Sequence, residues 1–188
     1  MTDLHLSQDA AADALLSKDP LALLLGMLLD QQIPMEKAFV GPKVLRERLG
    51  HDLDTTDLAE RDDLVELFAR TPAIHRFPGS MAGRVRDLCR HLVEHHGGRV
   101  EDVWEGVATG SEVLQRLKAL PGFGDQKARI FVALLGKQCG VRPTGWRQAA
   151  GGYGDEGAFK SIADVRSPQT LLQVRAYKQS VKAAAKKG

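Results

Sequence analysis

The sequence has few of the features that mark several classes of protein. Its two cysteines, Cys89 and Cys139, are too few for a disulfide framework, a cysteine-only zinc site or a four-cysteine iron–sulfur cluster. The longest apolar run, residues 21–29, is far shorter than the ~20 residues that cross a bilayer. Residues 1–5 lack the basic segment of a signal peptide. We therefore expect a cytoplasmic protein without an iron–sulfur cluster.

The length and composition fit a globular protein of modest size. The chain has 188 residues, of which 43% are hydrophobic and 27% are charged. These fractions are ordinary for a folded domain and exclude a disordered or collagen-like chain. We expect residues 1–188 to form a single domain, built as two small lobes that share a core.

Opposite charges are separated along the chain, although the formal net charge is only +2. Residues 51–70 contain seven acids and two arginines, whereas residues 116–147 contain seven basic residues and one acid, Asp125. Six basic residues and no acid follow Asp164. The second half of the chain is therefore a candidate for contact with a polyanion, with a solvated basic surface as an equal alternative.

Apolar residues recur at helical spacing and no segment alternates as a strand does, so the sequence predicts an all-α fold. Ser111 is the expected N-cap of one helix, and the Gly-rich stretch 140–157 is expected to be mostly loop. Pro and Gly mark the other helix ends. The predicted helices span residues 20–29, 34–49, one or two short segments within 54–69, 79–97, 111–120, 124–137 and a basic C-terminal helix at about 168–188.

The most informative segment is a helical hairpin at about residues 112–136, which turns at Leu-Pro-Gly-Phe-Gly, residues 120–124. Two glycines separated by one residue allow a tight turn whose backbone N–H groups point outward. The helix that follows adds positive potential at its N-terminus. Lys118, Lys127 and Arg129 flank the turn. Such a hairpin suits a phosphate group, with a plain helix–helix turn as the alternative.

This segment, with Ala128 and an apolar helix after it, resembles the signature of the helix-hairpin-helix–GPD superfamily of DNA glycosylases, the endonuclease III-like group. Residues 26–38 resemble the early helix of that family, and Gln32 takes the position of a glutamine at its DNA intercalation site. Residues 81–98 resemble the helix before its Gly-Gly boundary. The resemblance covers residues 18–148 and is nearest to a small branch without an iron–sulfur cluster.

The resemblance implies a two-lobed, all-α helix-hairpin-helix DNA glycosylase fold with a central cleft. The implied partner is double-stranded DNA, bent at a lesion with one nucleotide extruded, bound by a monomer that contacts no membrane. Gly122 and Gly124 would grip the DNA backbone, and a monovalent cation would bridge their loop to phosphate. The implied reaction is N-glycosidic cleavage in base excision repair, in which a carboxylate stabilises an oxocarbenium-like transition state and activates water.

Two positions depart from this family where its chemistry resides. Bifunctional members carry a lysine where this chain has Gln126; Lys127 lies about 100° further round the helix and is expected to point elsewhere. We therefore expect no Schiff-base lyase activity. Monofunctional members carry an aspartate where this chain has Arg142, although Val141 and Arg147 keep the motif's spacing. A cation there would oppose an oxocarbenium ion, so either the acid has moved or the chemistry is lost.

Three acids are candidates for a relocated catalytic carboxylate. Asp30 lies beside Gln31 and Gln32 at the implied cleft, and a helix-end charge is its alternative role. Asp155 and Glu156 lie in the Gly-rich loop just beyond the lost aspartate, and a loop shift would bring one of them in.

Further side chains complete the predicted DNA interface. Trp146 and Tyr153 are candidates for stacking on an extruded base, with packing of the loop onto the core as the more common role. His91 and His95 have zinc-compatible spacing, but no third ligand is placed beside them, so we predict no metal site. The predicted DNA-binding residues are Gln31, Gln32, Lys118, Gly122, Phe123, Gly124, Gln126, Lys127, Arg129 and Arg147.

Three functions remain open at this point. The first is a monofunctional DNA glycosylase with a relocated acid. The second is a catalytically silent protein that binds DNA lesions or structures through the hairpin. The third, a helical scaffold for a protein partner, leaves the phosphate-type hairpin unexplained.

Overall fold

The computed structural model describes residues 3–188, and its regular structure is helical, which confirms the predicted all-α class. Met1 and Thr2, where the segment examined for a signal peptide begins, lie outside the described residues. From residue 3 onward, no helix is both long and apolar enough to cross a membrane. The α-helices are α1 (Ala10–Lys18), α2 (Pro20–Leu29), α3 (Met35–Leu49), α4 (Thr55–Glu60), α5 (Leu64–Ala69), α6 (Pro78–His96), α7 (Gly110–Lys118), α8 (Asp125–Gln138), α9 (Trp146–Ala150) and α10 (Pro168–Lys186).

Helix ends follow the capping chemistry of the sequence. The Asp19 carboxylate accepts hydrogen bonds from the N–H groups of Leu21, at 2.9 Å, and Ala22, at 3.3 Å, and Pro20 opens α2. Gly50 and Gly97 end α3 and α6 in the left-handed conformation. The helices predicted at 20–29, 34–49, within 54–69, 79–97, 124–137 and from 168 are confirmed to within a residue or two.

Three local predictions were wrong or incomplete. Helix α1 was not predicted. Asp9 caps its start by accepting from the Ala12 N–H at 2.8 Å, and Asp13 accepts 2.8 and 2.7 Å hydrogen bonds from the N–H and hydroxyl of Ser7. Thr109, not Ser111, caps α7, because backbone hydrogen bonds to Thr144 hold this segment extended up to residue 109. The Gly-rich stretch 140–157 contains α9 and a 3-10 turn (Gly151–Gly154) in addition to loop.

Helix α2 lies at the centre of the core and positions the site at its C-terminal end. Every residue of α2 after Pro20 is buried, and α2 packs against α1, α3 and α6. Helices α7, α8 and α9 pack on one another, with α8 also against a 3-10 turn (Ile162–Asp164). The two groups of helices meet where the α7–α8 turn reaches α2: a Cβ atom on Gly122 would lie 2.5 Å from Leu28 Cδ1. This contact brings the hairpin beside the last turn of α2.

Candidate functional site

The turn between α7 and α8 has the conformation that its glycines were expected to permit. Gly122 adopts a left-handed conformation with φ of 85°, and the Phe123 N–H closes the turn by donating to the Leu120 carbonyl at 3.1 Å. Phe123 is buried and packs edge-on against Phe131, with ring centroids 6.2 Å apart. The aromatic ring thus fixes the turn from beneath and leaves both glycines exposed.

The exposed side of this turn offers unpaired backbone donors. Within residues 3–188, the N–H groups of Gly122, Gly124 and Asp125 have no hydrogen-bond acceptor. No side chain caps the N-terminus of α8, which begins directly after Gly124. Outward N–H groups at an uncapped helix N-terminus form a favourable environment for an anion.

An acid joins two of the cations that flank the turn. Asp125 accepts from Arg129 Nε at 2.8 Å and pairs with Lys118 Nζ at 3.2 Å. These two hydrogen bonds, first that of Arg129, lower the pKa of the exposed Asp125 carboxyl. Arg129 also donates to the Ala149 carbonyl at 2.8 Å, which ties the hairpin to α9. Lys118 and Arg129 are therefore already held by the fold near the predicted phosphate contact.

The chain leaves α2 through a tight turn that carries the other predicted contacts. Asp30 ends α2, and the exposed Gln32 adopts a left-handed conformation with φ of 58°, which is uncommon for a residue other than glycine. Gln31 donates from Nε2 to the Leu28 carbonyl at 2.9 Å and accepts from Arg84 at 3.1 Å. Gln32 is thus presented to solvent on a constrained backbone.

A buried histidine that was not predicted as a site residue holds this turn in place. His75 Nε2 lies 3.2 Å from the Leu29 carbonyl and 3.0 Å from the Gln31 carbonyl, while its Nδ1 accepts from the Phe77 N–H at 3.0 Å. This pattern requires a neutral ring that carries its proton on Nε2. Burial lowers the pKa of His75 in agreement with the neutral form.

Lys127 points toward the end of α2, contrary to the expectation from its helical position. Its Nζ donates to the Leu28 carbonyl at 3.0 Å, next to Asp30. Burial lowers the pKa of Lys127 to about 8, and the Asp30 charge opposes that shift. The position expected to face the site holds Gln126, which instead donates to the Tyr153 hydroxyl at 2.9 Å. The side chain of Lys127 reaches further into the protein than the rotation about the helix axis suggested.

Asp30 is the candidate acid with the most distinctive surroundings. Burial among protein atoms raises the pKa of its carboxyl, and the positive charges of Lys178 and Lys127 act against that rise. No residue in the described part of the chain donates a hydrogen bond to this carboxylate or pairs with it within 4 Å. Its lone pairs are therefore open to a ligand or a water molecule.

The other two candidate acids are exposed and paired. Glu156 is bound by Arg147 at 2.5 Å, and Asp155 lies 3.5 Å from Lys160 Nζ. Their side chains are 81% and 65% exposed. Arg142, at the position of the family aspartate, is also exposed and donates from Nε to the Gly136 carbonyl at 2.8 Å. Neither Asp155 nor Glu156 makes an ion pair or a side-chain hydrogen bond with a described residue of the hairpin turn.

The two candidate stacking residues have different surroundings. Trp146 is 8% exposed, and its ring covers Gly136, where an added Cβ would lie 2.3 Å from the ring. Arg147 lies over the same ring at 4.5 Å. Tyr153 is partly buried and bonded to Gln126, so it links the Gly-rich segment to the start of α8. These contacts favour the packing role for Trp146.

The proximity of two basic side chains to this region was not predicted from the sequence, because both are distant from it in the chain. Lys178, in α10, and Arg84, in α6, contribute positive charge around Asp30 and Lys127. The cysteines do not supply a nucleophile: burial raises the pKa of Cys89 to about 12 and that of Cys139 to about 11. The only sequence signal for a role of α10 in this site was the excess of basic residues after Asp164.

No metal-binding cluster accompanies this site. Across residues 3–188, no group of three or more His, Cys, Asp and Glu side chains is arranged to hold a metal ion.

Comparison of the chain with protein-family models, curated proteins and solved structures found no match.

Proposed function

We propose that the chain is a monofunctional DNA N-glycosylase with a two-lobed helix-hairpin-helix fold, which excises a damaged base from duplex DNA in base excision repair. One observation carries the proposal. The exposed N–H groups of the hairpin turn lie beside the end of α2, where a partly buried carboxylate, Asp30, has no hydrogen-bond donor among the described residues. A phosphate site and an available acid are what such a reaction requires of the protein.

The two features have separate roles in the proposed reaction. The hairpin holds a backbone phosphate through Gly122 and Gly124, and the extruded nucleotide is placed beside the carboxylate of Asp30. Asp30 stabilises the positive charge that develops on the sugar and takes a proton from water. The oxygen of that water bonds to C1′, and the C1′–N bond breaks with its electron pair going to the base.

Lys127 is a positioning residue in this proposal. Its ammonium is bound to the Leu28 carbonyl, and its charge favours the ionised form of Asp30. Gln126 cannot form a Schiff base, and the ammonium of Lys127 is engaged with the Leu28 carbonyl, so the proposed enzyme leaves an intact abasic strand.

The turn also has oxygen atoms suited to the monovalent cation that the family resemblance implies. The carbonyls of Ala119, Pro121 and Gly122 accept no hydrogen bond from a described residue. These carbonyls would hold such a cation, which would supply positive charge to the side of the turn that faces the phosphate.

Arg142 favours a second candidate function, a catalytically silent protein that binds DNA lesions or structures. The guanidinium occupies the position of the family aspartate and is tethered to Gly136. In this alternative the hairpin binds DNA and Asp30 only ends a helix.

Release of a damaged base separates the two functions. Purified protein would be incubated with duplexes that carry deaminated, alkylated, oxidised or mismatched bases, and abasic sites would be scored by alkali cleavage. We expect release from one class of lesion, strand cleavage only after alkali, and a loss of roughly a hundredfold or more in Asp30→Asn. Asp155→Asn and Glu156→Gln are matched controls that remove exposed carboxylates and should keep the wild-type rate.

Each other outcome has a definite meaning. Loss in Asp155→Asn or Glu156→Gln with normal activity in Asp30→Asn would move the catalytic acid to the Gly-rich segment. Binding of duplex DNA without base release from any lesion would favour the silent DNA-binding protein. Absence of binding at low salt would contradict both functions.

A further inference from the structure

Helix α10 carries its positive charge on the side that packs against the protein. Leu171 and Val174 are buried and define that side. Successive residues of an α-helix are rotated by about 100° about its axis. Lys178, Lys182 and Lys186 therefore lie within about 80° of one another around α10, on the same side as Leu171 and Val174. The same side of α10 is therefore apolar in its first half and carries a row of lysines in its second half.

The lysine row extends beyond the body of the protein. Helix α10 packs mainly against the 3-10 turn at Ile162–Asp164, and every residue from Gln179 to Lys186 is exposed. Lys178, where the helix leaves the body, is partly buried and lies close enough to Asp30 and Lys127 to influence both. Arg175, one turn earlier, is paired with Glu36 at the start of α3. The projecting half of α10 thus begins at the candidate site.

We propose that the projecting half of α10 is an arm that binds the phosphate backbone of the duplex held at the hairpin, through Lys182 and Lys186. This inference rests on the proposed function for its ligand. The projecting half continues the buried side of α10 with ammonium groups, where a helix packed against protein would carry apolar residues. Consecutive lysines of the row are about 6 Å apart along the axis of α10, which is close to the axial rise of two phosphates on one strand of duplex DNA, about 3.4 Å each.

A nucleic acid fits this arm better than a membrane does. The exposed apolar residues of α10, Leu172, Tyr177 and Val181, do not form one continuous stripe: Leu172 lies about 140° or more from the other two. An interfacial helix needs a single apolar side to enter the lipid. No acid shares α10 with the row of lysines, because no acidic residue follows Asp164 in the chain.

The test places the same change of charge on opposite sides of one helix. Lys182→Gln/Lys186→Gln removes two positive charges from the row, and Gln173→Glu/Ser180→Glu adds two negative charges on the other side. All four positions are exposed, and thermal melting would verify that both variants fold. Duplex binding would be measured by fluorescence anisotropy over a series of salt concentrations, with the full-length chain and an undamaged duplex.

We expect the lysine variant to bind roughly 10- to 50-fold more weakly at low salt and its log–log salt slope to fall in magnitude by about 1.8, as for the loss of two phosphate contacts. The control should retain most of the affinity and the wild-type slope. Equal losses of DNA affinity in the two variants, or no loss in the lysine variant, would show that the arm does not bind the duplex. The proposed function would stand, and the lysine surface would be assigned to another partner, such as an acidic protein. If the wild-type chain fails to bind duplex DNA, both the arm and the proposed function are overturned.

Discussion

The ammonium of Lys127 donates a 3.0 Å hydrogen bond to the backbone carbonyl of Leu28, across 99 residues of sequence. This contact joins the first turn of α8 to the last turn of α2, where the carbonyl groups of a helix have no backbone partner within the helix. A cation at a helix C-terminus also interacts favourably with the helix dipole. The contact therefore fixes the distance between the hairpin turn and Asp30, the two parts of the proposed site.

Lys127→Met should change the pH dependence of folding stability. The pKa of Lys127 falls from 10.5 to about 8 in the folded protein, so between these values the unfolded chain holds a proton that the folded chain has lost. Wild-type stability must therefore rise with pH across this window relative to the variant, by about 3 kcal/mol, because each pH unit between the two pKa values contributes about 1.4 kcal/mol. Urea unfolding at pH values below, within and above the window would measure this difference.

Lys118→Met is the matched control for that experiment, because it removes an exposed ammonium from the same hairpin. It should follow the wild-type pH dependence. A Lys127→Met curve parallel to that of the wild type would show that the buried ammonium does not contribute in this way.

The rate of base release should have a bell-shaped pH profile. Burial raises the pKa of Asp30, so activity falls on the acid side at a pH above the usual range of an aspartate, as the carboxylate becomes protonated. On the alkaline side the rate falls near pH 8, where Lys127 loses its charge. Single-turnover rates on the substrate found by the lesion survey would define both limbs.

Lys127→Met separates the two limbs of this profile. The variant lacks the alkaline limb, and its acid limb moves to higher pH, because the charge that opposes the rise in the Asp30 pKa is gone. A purely structural role for Lys127 would lower the rate at every pH and leave the acid limb in place. An acid limb that disappears in Asp155→Asn would instead assign that limb to the other acid.

The two hairpin glycines should respond differently to substitution. Gly124 has a φ of −78° and open space around it, so Gly124→Ala should retain fold and DNA affinity. Gly124→Asp places a carboxylate beside the phosphate and should weaken binding roughly 10- to 100-fold, because like charges repel. Gly122→Ala should cost about 1–3 kcal/mol of stability, since φ is 85° and its Cβ would lie 2.5 Å from Leu28 Cδ1.

Anisotropy titrations and melting curves on these three variants would test the assignment of the turn. Equal affinity of Gly124→Asp and Gly124→Ala for duplex DNA would remove the turn from the DNA interface. A Gly122→Ala variant as stable as the wild type would mean that the contact with Leu28 yields easily.

Local signals in the sequence predicted most helices and the hairpin. The Asp19-Pro20 pair and Gly50 each act within one turn of the chain, so their effect is visible without the fold. The candidate site depends on contacts between distant residues, such as Lys178 beside Asp30, and His75 against Leu29. Nothing near these residues in the sequence indicates their partners, which explains why neither contact was predicted.

The same reason accounts for the errors in the Gly-rich segment. Its glycines suggested a loop, but Trp146 begins a short helix there. The indole ring of Trp146 packs against the backbone of Gly136, which has no side chain. Gly110 permits an equally close approach, since its Cβ would lie 2.4 Å from the Cα of Trp146. A glycine in a helix is visible in the sequence, whereas the side chain that requires it is not.

Gly136→Ala should therefore destabilise the protein, although alanine is the better helix former. The added Cβ would meet the Trp146 ring at 2.3 Å, and overpacking of this kind costs about 1–3 kcal/mol. Gly83→Ala is the matched control: Gly83 lies inside α6 with no atom within 4 Å of its Cβ position, and the substitution should stabilise by about 0.5–1 kcal/mol.

A double-mutant cycle identifies the cause of the Gly136→Ala penalty. In a Trp146→Leu background the clash is relieved, so the second substitution should cost at least 1 kcal/mol less, roughly the coupling expected for residues in contact. Chemical denaturation of the four proteins in the cycle supplies the free energies of unfolding. Equal penalties in both backgrounds would mean that the tryptophan ring does not rest on Gly136 in solution, and Trp146 would then be free to stack on an extruded base.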